Sequence, residues 1–138
     1  MLCSRQDGIV SVNSLLGYSP FVSSFSKDIL GQIERALEGG ATLDTETGLF
    51  IQLAFEVKEL TRKYGVSLLI NNRLDVTLSI DAEGVHIGQD NMPLKQVRRL
   101  LGPEKIIGVS CNTEQEAEIA IRDGADYLGI DAIWFTST

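Results

Sequence analysis

Residues 67–91 read SLLINNRLDVTLSIDAEGVHIGQDN, and two short apolar runs within that stretch decide the fold. Leu68-Leu69-Ile70 is followed by Asn71-Asn72-Arg73, and Val85-His86-Ile87 by Gly88-Gln89-Asp90-Asn91. Apolar runs this short, rich in branched residues and separated by a short helical pattern over Asp75 to Ile80, fit buried parallel strands better than half-exposed antiparallel ones. Small polar groups at the carboxyl ends of such strands stand where α/β folds bind their ligands. Chemistry is therefore expected at those two clusters.

Toward the carboxyl end, Pro93 suits a first helical position with Asn91 or Met92 as the cap before it. Leu94, Val97, Leu100 and Leu101 give that helix an apolar face up to Gly102-Pro103. A strand from Lys105 to Val109 ends at Ser110-Cys111-Asn112, and Thr113-Glu114-Gln115-Glu116 forms a capping box for a helix with Ala117, Ala120 and Ile121 inward. A last strand is predicted over Tyr127 to Ile130. Toward the amino end, a helix runs from about Leu49 to Tyr64 with Phe50, Leu53, Ala54, Val57 and Leu60 inward. An earlier helix is predicted from Lys27 to Glu38, capped by Ser26 and stopped by Gly39-Gly40. Residues 1–22 form a poorly specified segment in which Ile9-Val10-Ser11-Val12 is the one run able to pair as a strand.

Strand ends thus recur at Asn71, Gly88, Ser110 and Asp131, about one βα unit apart, and right-handed crossovers make such a sheet parallel. A flavodoxin-like sandwich and part of a (β/α)8 barrel both satisfy the pattern. A full barrel takes roughly 200 residues or more. With 138 residues, the expected fold is α/β, a parallel sheet with flanking helices forming an incomplete (β/α)8 barrel over residues 23–138.

Composition narrows the function classes. A net charge of −7 argues against a nucleic-acid partner, whose phosphates need clustered Lys and Arg. No apolar run approaches the length of a membrane span, and the first residues lack the apolar core of a signal peptide. Cys3 and Cys111 follow no metal-ligand or disulfide spacing, which suits a reducing compartment, so a cytoplasmic protein is expected. Taken singly, the polar residues have ordinary readings: His86 as a packed strand residue, Asp90 and Asn91 as helix caps, Asn71-Asn72 as a turn pair, Ser110 as a loop residue.

Their joint order carries more. Leu69-Ile70-Asn71-Asn72-Arg73-Leu74-Asp75-Val76, Gly84-Val85-His86-Ile87-Gly88-Gln89-Asp90, Ile107-Gly108-Val109-Ser110, Gly124-Ala125-Asp126-Tyr127-Leu128-Gly129 and Thr136-Ser137-Thr138 occur in the order and spacing of a known family. The run from Gly65 to Thr138 resembles thiamine-phosphate synthase and its relative, the thiazole tautomerase TenI; the helices before Gly65 resemble the synthase, in the form found in fungal bifunctional thiamine enzymes. The resemblance implies a (β/α)8 barrel that joins hydroxymethylpyrimidine diphosphate to thiazole phosphate, giving thiamine phosphate and diphosphate. Such a reaction runs through a pyrimidine-methyl cation, with magnesium and hydrogen-bond donors stabilising the charge that builds on the leaving diphosphate. On this resemblance Asn71 and Ser110 contact diphosphate, His86 lines the pyrimidine pocket, and Thr136 and Thr138 hold the thiazole phosphate.

Several positions depart from the family pattern. Asn72 and Asn91 stand where it has magnesium-binding aspartates, and Asp90 is the adjacent carboxylate, so these three are expected to be weakened metal positions. The family's second strand is missing between Leu43 and Asp44, its first strand is not recognisable in residues 1–22, and the chain stops at Thr138 before further strands. Asp131 replaces a glycine of a Gly-x-Gly turn near the expected phosphates. The expectation is a truncated, synthase-like chain whose turnover is impaired, the alternative being an inactive remnant serving as a binding or oligomerisation module. Open sheet edges are expected to favour self-association.

Overall fold

The computed structural model describes residues 9–11 and 47–130. The expected helix from Lys27 to Glu38, the Leu43-Asp44 junction, Asp131, Thr136 and Thr138 lie outside the described residues. Along the described chain the order is β1 (Ile9–Ser11), α1 (Thr47–Lys63), β2 (Ser67–Asn71), α2 (Leu74–Ile80), β3 (Gly84–Ile87), α3 (Leu94–Leu101), β4 (Ile106–Cys111), α4 (Glu114–Arg122) and β5 (Tyr127–Ile130). The five strands form one sheet in sequence order, and every neighbouring pair is parallel. This is the strand order of successive βα units wound in one direction, as in a barrel wall, with no topological switch of the flavodoxin kind. The run at Ile9 pairs with β2, Ile9 opposite Ser67 and Ser11 opposite Leu69.

Alternation along each strand sorts the sheet into two faces. One face is covered by helices: Leu68 and Ile70 pack with Ala54 and Val57 of α1 and Val76 and Ile80 of α2, and Val85, Ile87, Ile107 and Val109 pack with Val97 of α3 and Ala120 of α4. Those side chains are almost wholly excluded from water. The other face carries Leu69 and Asn71 on β2, Gly84 and His86 on β3, Gly108 and Ser110 on β4, and Tyr127 and Gly129 on β5, as the strand register and the side chains over the glycines require. Apolar residues dominate the first face and polar ones the carboxyl end of the second.

Carboxylates standing before two strands tie the amino ends of the sheet together. Glu83 precedes β3, and its Oε2 accepts from the backbone N–H of Leu68 at 2.9 Å. Asp126 precedes β5, and its Oδ2 accepts from the N–H of Ile107 at 2.7 Å. Each satisfies a strand donor at the point where the next strand has not yet begun. Arg98 on α3 locks the second of these, donating to Asp126 at 2.6 Å and to the carbonyls of Lys105 and Gly124 at 2.6 and 2.9 Å.

Among the described residues, predicted helix boundaries hold within about two residues, the usual scatter for element ends. The capping box forms, with Thr113 Oγ1 accepting from Glu116 N at 3.2 Å, while Glu116 Oε2 reaches back to Asn112 N at 2.7 Å. Leu100 and Ile121, expected inward, are 51% and 65% exposed. Both helices are short and lie against the sheet through a narrow stripe, so the third apolar position of each turns out to solvent. The cap expected from Asn91 or Met92 is absent: Pro93 occupies the cap position of α3 without a side-chain hydrogen bond.

Candidate active site

The polar face of the sheet concentrates at the carboxyl ends of β2 to β5. Asn71 is in register with His86, His86 with Gly108, and Ser110 with Gly129. Register therefore brings Asn71, His86 and Ser110, the three described residues expected to touch substrate, onto one face at adjacent strand ends. His86 is half-buried, and both of its ring nitrogens are engaged: Nε2 lies 2.8 Å from Ser110 Oγ, and Nδ1 lies 2.8 Å from the Tyr127 hydroxyl. The His86 and Tyr127 rings stand 5.4 Å apart between centroids and are tilted by 33°.

Glycines make room for this arrangement. A Cβ at Gly108 would run into the Tyr127 ring, so only glycine lets the phenol cross β4 and reach the imidazole. At Gly129 a Cβ would meet His86 Cε1 at 3.1 Å, tight enough to press on the ring. Burial holds the His86 pKa below the ordinary imidazole value and pushes the Tyr127 phenol up to about 12. The row Tyr127–His86–Ser110 is thus neutral near pH 7, and a neutral imidazole supplies one donor and one acceptor to it.

The loop after β3 is fastened to the same place. Gln89 Nε2 donates to the Ser110 carbonyl at 2.6 Å, and Asn91 Oδ1 accepts from Gly88 N–H at 2.6 Å. Asn91 is therefore a loop-closing residue. Asn72 sits in the left-handed region at φ 61°, which asparagine tolerates, and its backbone N–H donates to the His86 carbonyl at 2.8 Å. Its side chain is exposed, as is that of Asp90. Arg73, next in the chain, is held by Asp75 at 2.6 Å and by Thr47 at 2.9 Å, and lies over the Phe50 ring.

Magnesium prefers carboxylate and phosphate oxygens in near-octahedral geometry. Of the three expected metal positions Asp90 alone offers a carboxylate, Asn72 offers a neutral amide, and the Asn91 oxygen already accepts from Gly88. Among the described residues no group of three or more His, Cys, Asp or Glu side chains is placed to hold a metal ion. This donor set does not fit magnesium by itself.

Tyr127 is not among the residues expected at the site, and Gln89 lies in an expected cluster without an assigned role. Tyr127 reads as the first apolar residue of a strand, and only the glycine one strand away, at Gly108, hinted that its ring crosses over. A cavity of about 220 Å3 between α3 and α4, lined by Ile87, Met92, Val109 and Ile119, lies on the helix side of the sheet and does not reach the His86 row. Cys111 faces the same side, buried, its thiol pKa raised by burial and by nearby Glu116. No helix among the described residues is long and apolar enough to cross a membrane.

Known proteins resemble the chain in sequence and in fold. A family model described as thiamine monophosphate synthase matches residues 20–138. A chloroplastic thiamine biosynthetic bifunctional enzyme of Arabidopsis thaliana is 46% identical over 120 residues, 83% of this chain and 23% of that protein. The thiamine-phosphate synthase of Methanobrevibacter smithii is 44% identical over 122 residues, 84% of this chain and 58% of that one; that of Clostridium acetobutylicum is 47% identical over 118 residues, 81% and 56% respectively. Among solved structures, a thiamine phosphate pyrophosphorylase from Pyrococcus furiosus superposes with a TM-score of 0.66 at 29% identity, covering 91% of this chain and 59% of that one. The chain spans less than two thirds of the length of each of these relatives. A match that begins at residue 20 and runs to residue 138, with close relatives in plants, archaea and bacteria, establishes that the chain belongs to the thiamine monophosphate synthase family.

Proposed function

We propose that this protein binds the pyrimidine diphosphate of the thiamine-phosphate synthase reaction at the carboxyl ends of β2, β3 and β4, and that the 138-residue chain does not itself complete turnover with magnesium. The observation that carries the binding half is the convergence of Asn71, His86 and Ser110 on one sheet face, with Ser110 held by His86 at 2.8 Å. A terminal amide and a hydroxyl at strand ends are suitable donors for phosphate oxygens. Half-buried His86 and Tyr127 beside them offer a pyrimidine ring an aromatic wall with polar tips. The thiazole phosphate belongs to the same reaction, and Thr136 and Thr138 are the residues proposed for it.

The second half rests on charge. Departure of diphosphate places negative charge on its oxygens, and the rate depends on groups that stabilise that charge. Asn72 and Asn91 in place of two carboxylates leave the metal positions neutral, and Asp90 alone is too weak an anchor. The chain's own contribution is to bind and orient the diphosphate through Asn71 and Ser110. The proposal keeps a cytoplasmic setting, and it includes self-association through the outer edges of β1 and β5, which sedimentation across a concentration series would reveal as a rising mass; a constant mass removes that part.

Calorimetry with hydroxymethylpyrimidine diphosphate tests the binding half. Ser110→Ala and Asn71→Ala should each weaken binding by roughly ten- to a hundredfold, the range for hydrogen bonds to a charged ligand. Binding equal in all three proteins would remove the assignment.

A further inference from the structure

The row Tyr127–His86–Ser110 admits two hydrogen-bond directions, because the phenol and hydroxyl each donate or accept and a neutral imidazole does one at each nitrogen. In the first, the Tyr127 O–H donates to Nδ1, Nε2–H donates to Ser110 Oγ, and the Ser110 O–H is left to point away from the row. In the second, Ser110 donates to Nε2, Nδ1–H donates to the phenol oxygen, and the phenol O–H is the group left over. The two ends of the row are not equivalent. Tyr127 begins β5, its ring lying across buried Gly108, and among the described residues its hydroxyl has no acceptor besides His86. Ser110 lies two residues farther along β4 from Gly108, near the strand's carboxyl end, where Gln89 of the loop after β3 reaches its carbonyl. The first direction leaves the spare proton at the carboxyl end of β4, on the side of the strand ends that carry Asn71 and the loop after β3. The second leaves it on Tyr127 at the start of β5, away from them.

We infer that Tyr127, acting through His86, holds the Ser110 hydroxyl as a hydrogen-bond donor toward an incoming phosphate oxygen. Tyr127 is thus a positioning residue, working through the imidazole tautomer with the proton on Nε2. A phenol is a better donor and poorer acceptor than an aliphatic hydroxyl, which favours the same direction. Burial that keeps the imidazole neutral and the phenol protonated acts in concert with it. Gly108 and Gly129 serve the row by clearing space for the two rings. The inference rests on the diphosphate reading above, since it assigns the direction of the donor that reading requires.

His86 is the sole histidine of the chain, so nitrogen-15 spectra of the full chain contain a single pair of imidazole signals. The experiment records them without ligand and during titration with inorganic diphosphate, in the unaltered chain, Tyr127→Phe and Ser110→Ala. The unaltered chain should show Nε2 protonated and Nδ1 unprotonated, before and after diphosphate. Tyr127→Phe keeps the ring over Gly108 and should lose the single tautomer and bind diphosphate roughly five- to tenfold more weakly, the loss expected of one hydrogen bond acting at a remove. A proton on Nδ1, or on both nitrogens, in the unaltered chain overturns the inference whatever the variants do. Binding that Ser110→Ala weakens and Tyr127→Phe leaves unchanged overturns it while sparing the diphosphate reading. No binding by any of the three brings down both.

Discussion

At the scale of single residues, His86 shows how position changes meaning. On a strand it reads as a packed core residue, and so it partly is, half-buried with two neutral partners. Its contacts with Ser110 and Tyr127 cross from β3 to β4 and β5, and nothing in a linear pattern states which strand ends will be neighbours. Asn91 moved the other way: expected among the caps and the weakened metal positions, it does not cap α3 but closes the loop at Gly88. The His86 environment has a pH consequence. Its folded-state pKa lies below the ordinary 6.5 because burial disfavours the charged ring. Above 6.5 the ring is neutral in both folded and unfolded chains, so its titration does not change stability there. As pH falls through 6.5 the unfolded chain takes up the proton first, so stability drops until the folded value is also passed. Thermal melts between pH 7 and 5 should therefore show a steeper loss for the unaltered chain than for His86→Gln. Equal slopes would mean that the imidazole is not desolvated.

At the scale of elements, most of the fold was legible because each βα unit carries its own punctuation. Gly65, Gly102 and Gly124 adopt positive φ at or just past helix ends, where only small cost attaches to glycine, and the apolar runs between them are too short for anything but buried strands. Ile9 to Ser11 was recognisable as a strand candidate, but its partner was not. Less legible were the carboxylates at the amino ends of the strands. Asp126 reads as a turn residue, yet it accepts from both Ile107 N–H and Arg98. Ile107 is fully buried, so removing that acceptor orphans its N–H. Asp126→Ala should cost about 1–3 kcal/mol of stability, the penalty of an unsatisfied buried donor together with a loosened Arg98. Denaturant unfolding measures it, and a loss within error of zero would show that water replaces the carboxylate.

At the scale of the whole molecule, the parallel order β1-β2-β3-β4-β5 and the helix-covered face are what a segment of barrel wall requires. The face that would line a barrel interior is the one bearing Asn71, His86 and Ser110, the residues proposed to meet the diphosphate. The order of motifs in the sequence singled out those residues, and the neutral amides at 72 and 91 are the ground for the proposed loss of turnover. Neither could specify the hydrogen-bond row, because that depends on ring placement over glycines in adjacent strands. The most direct test is formation of thiamine phosphate by the full chain, given hydroxymethylpyrimidine diphosphate, thiazole phosphate and magnesium. No product is expected from the unaltered chain under conditions where it binds the pyrimidine diphosphate. Steady magnesium-dependent formation of thiamine phosphate would contradict the proposal and show that Asp90 and the neutral amides suffice for the metal.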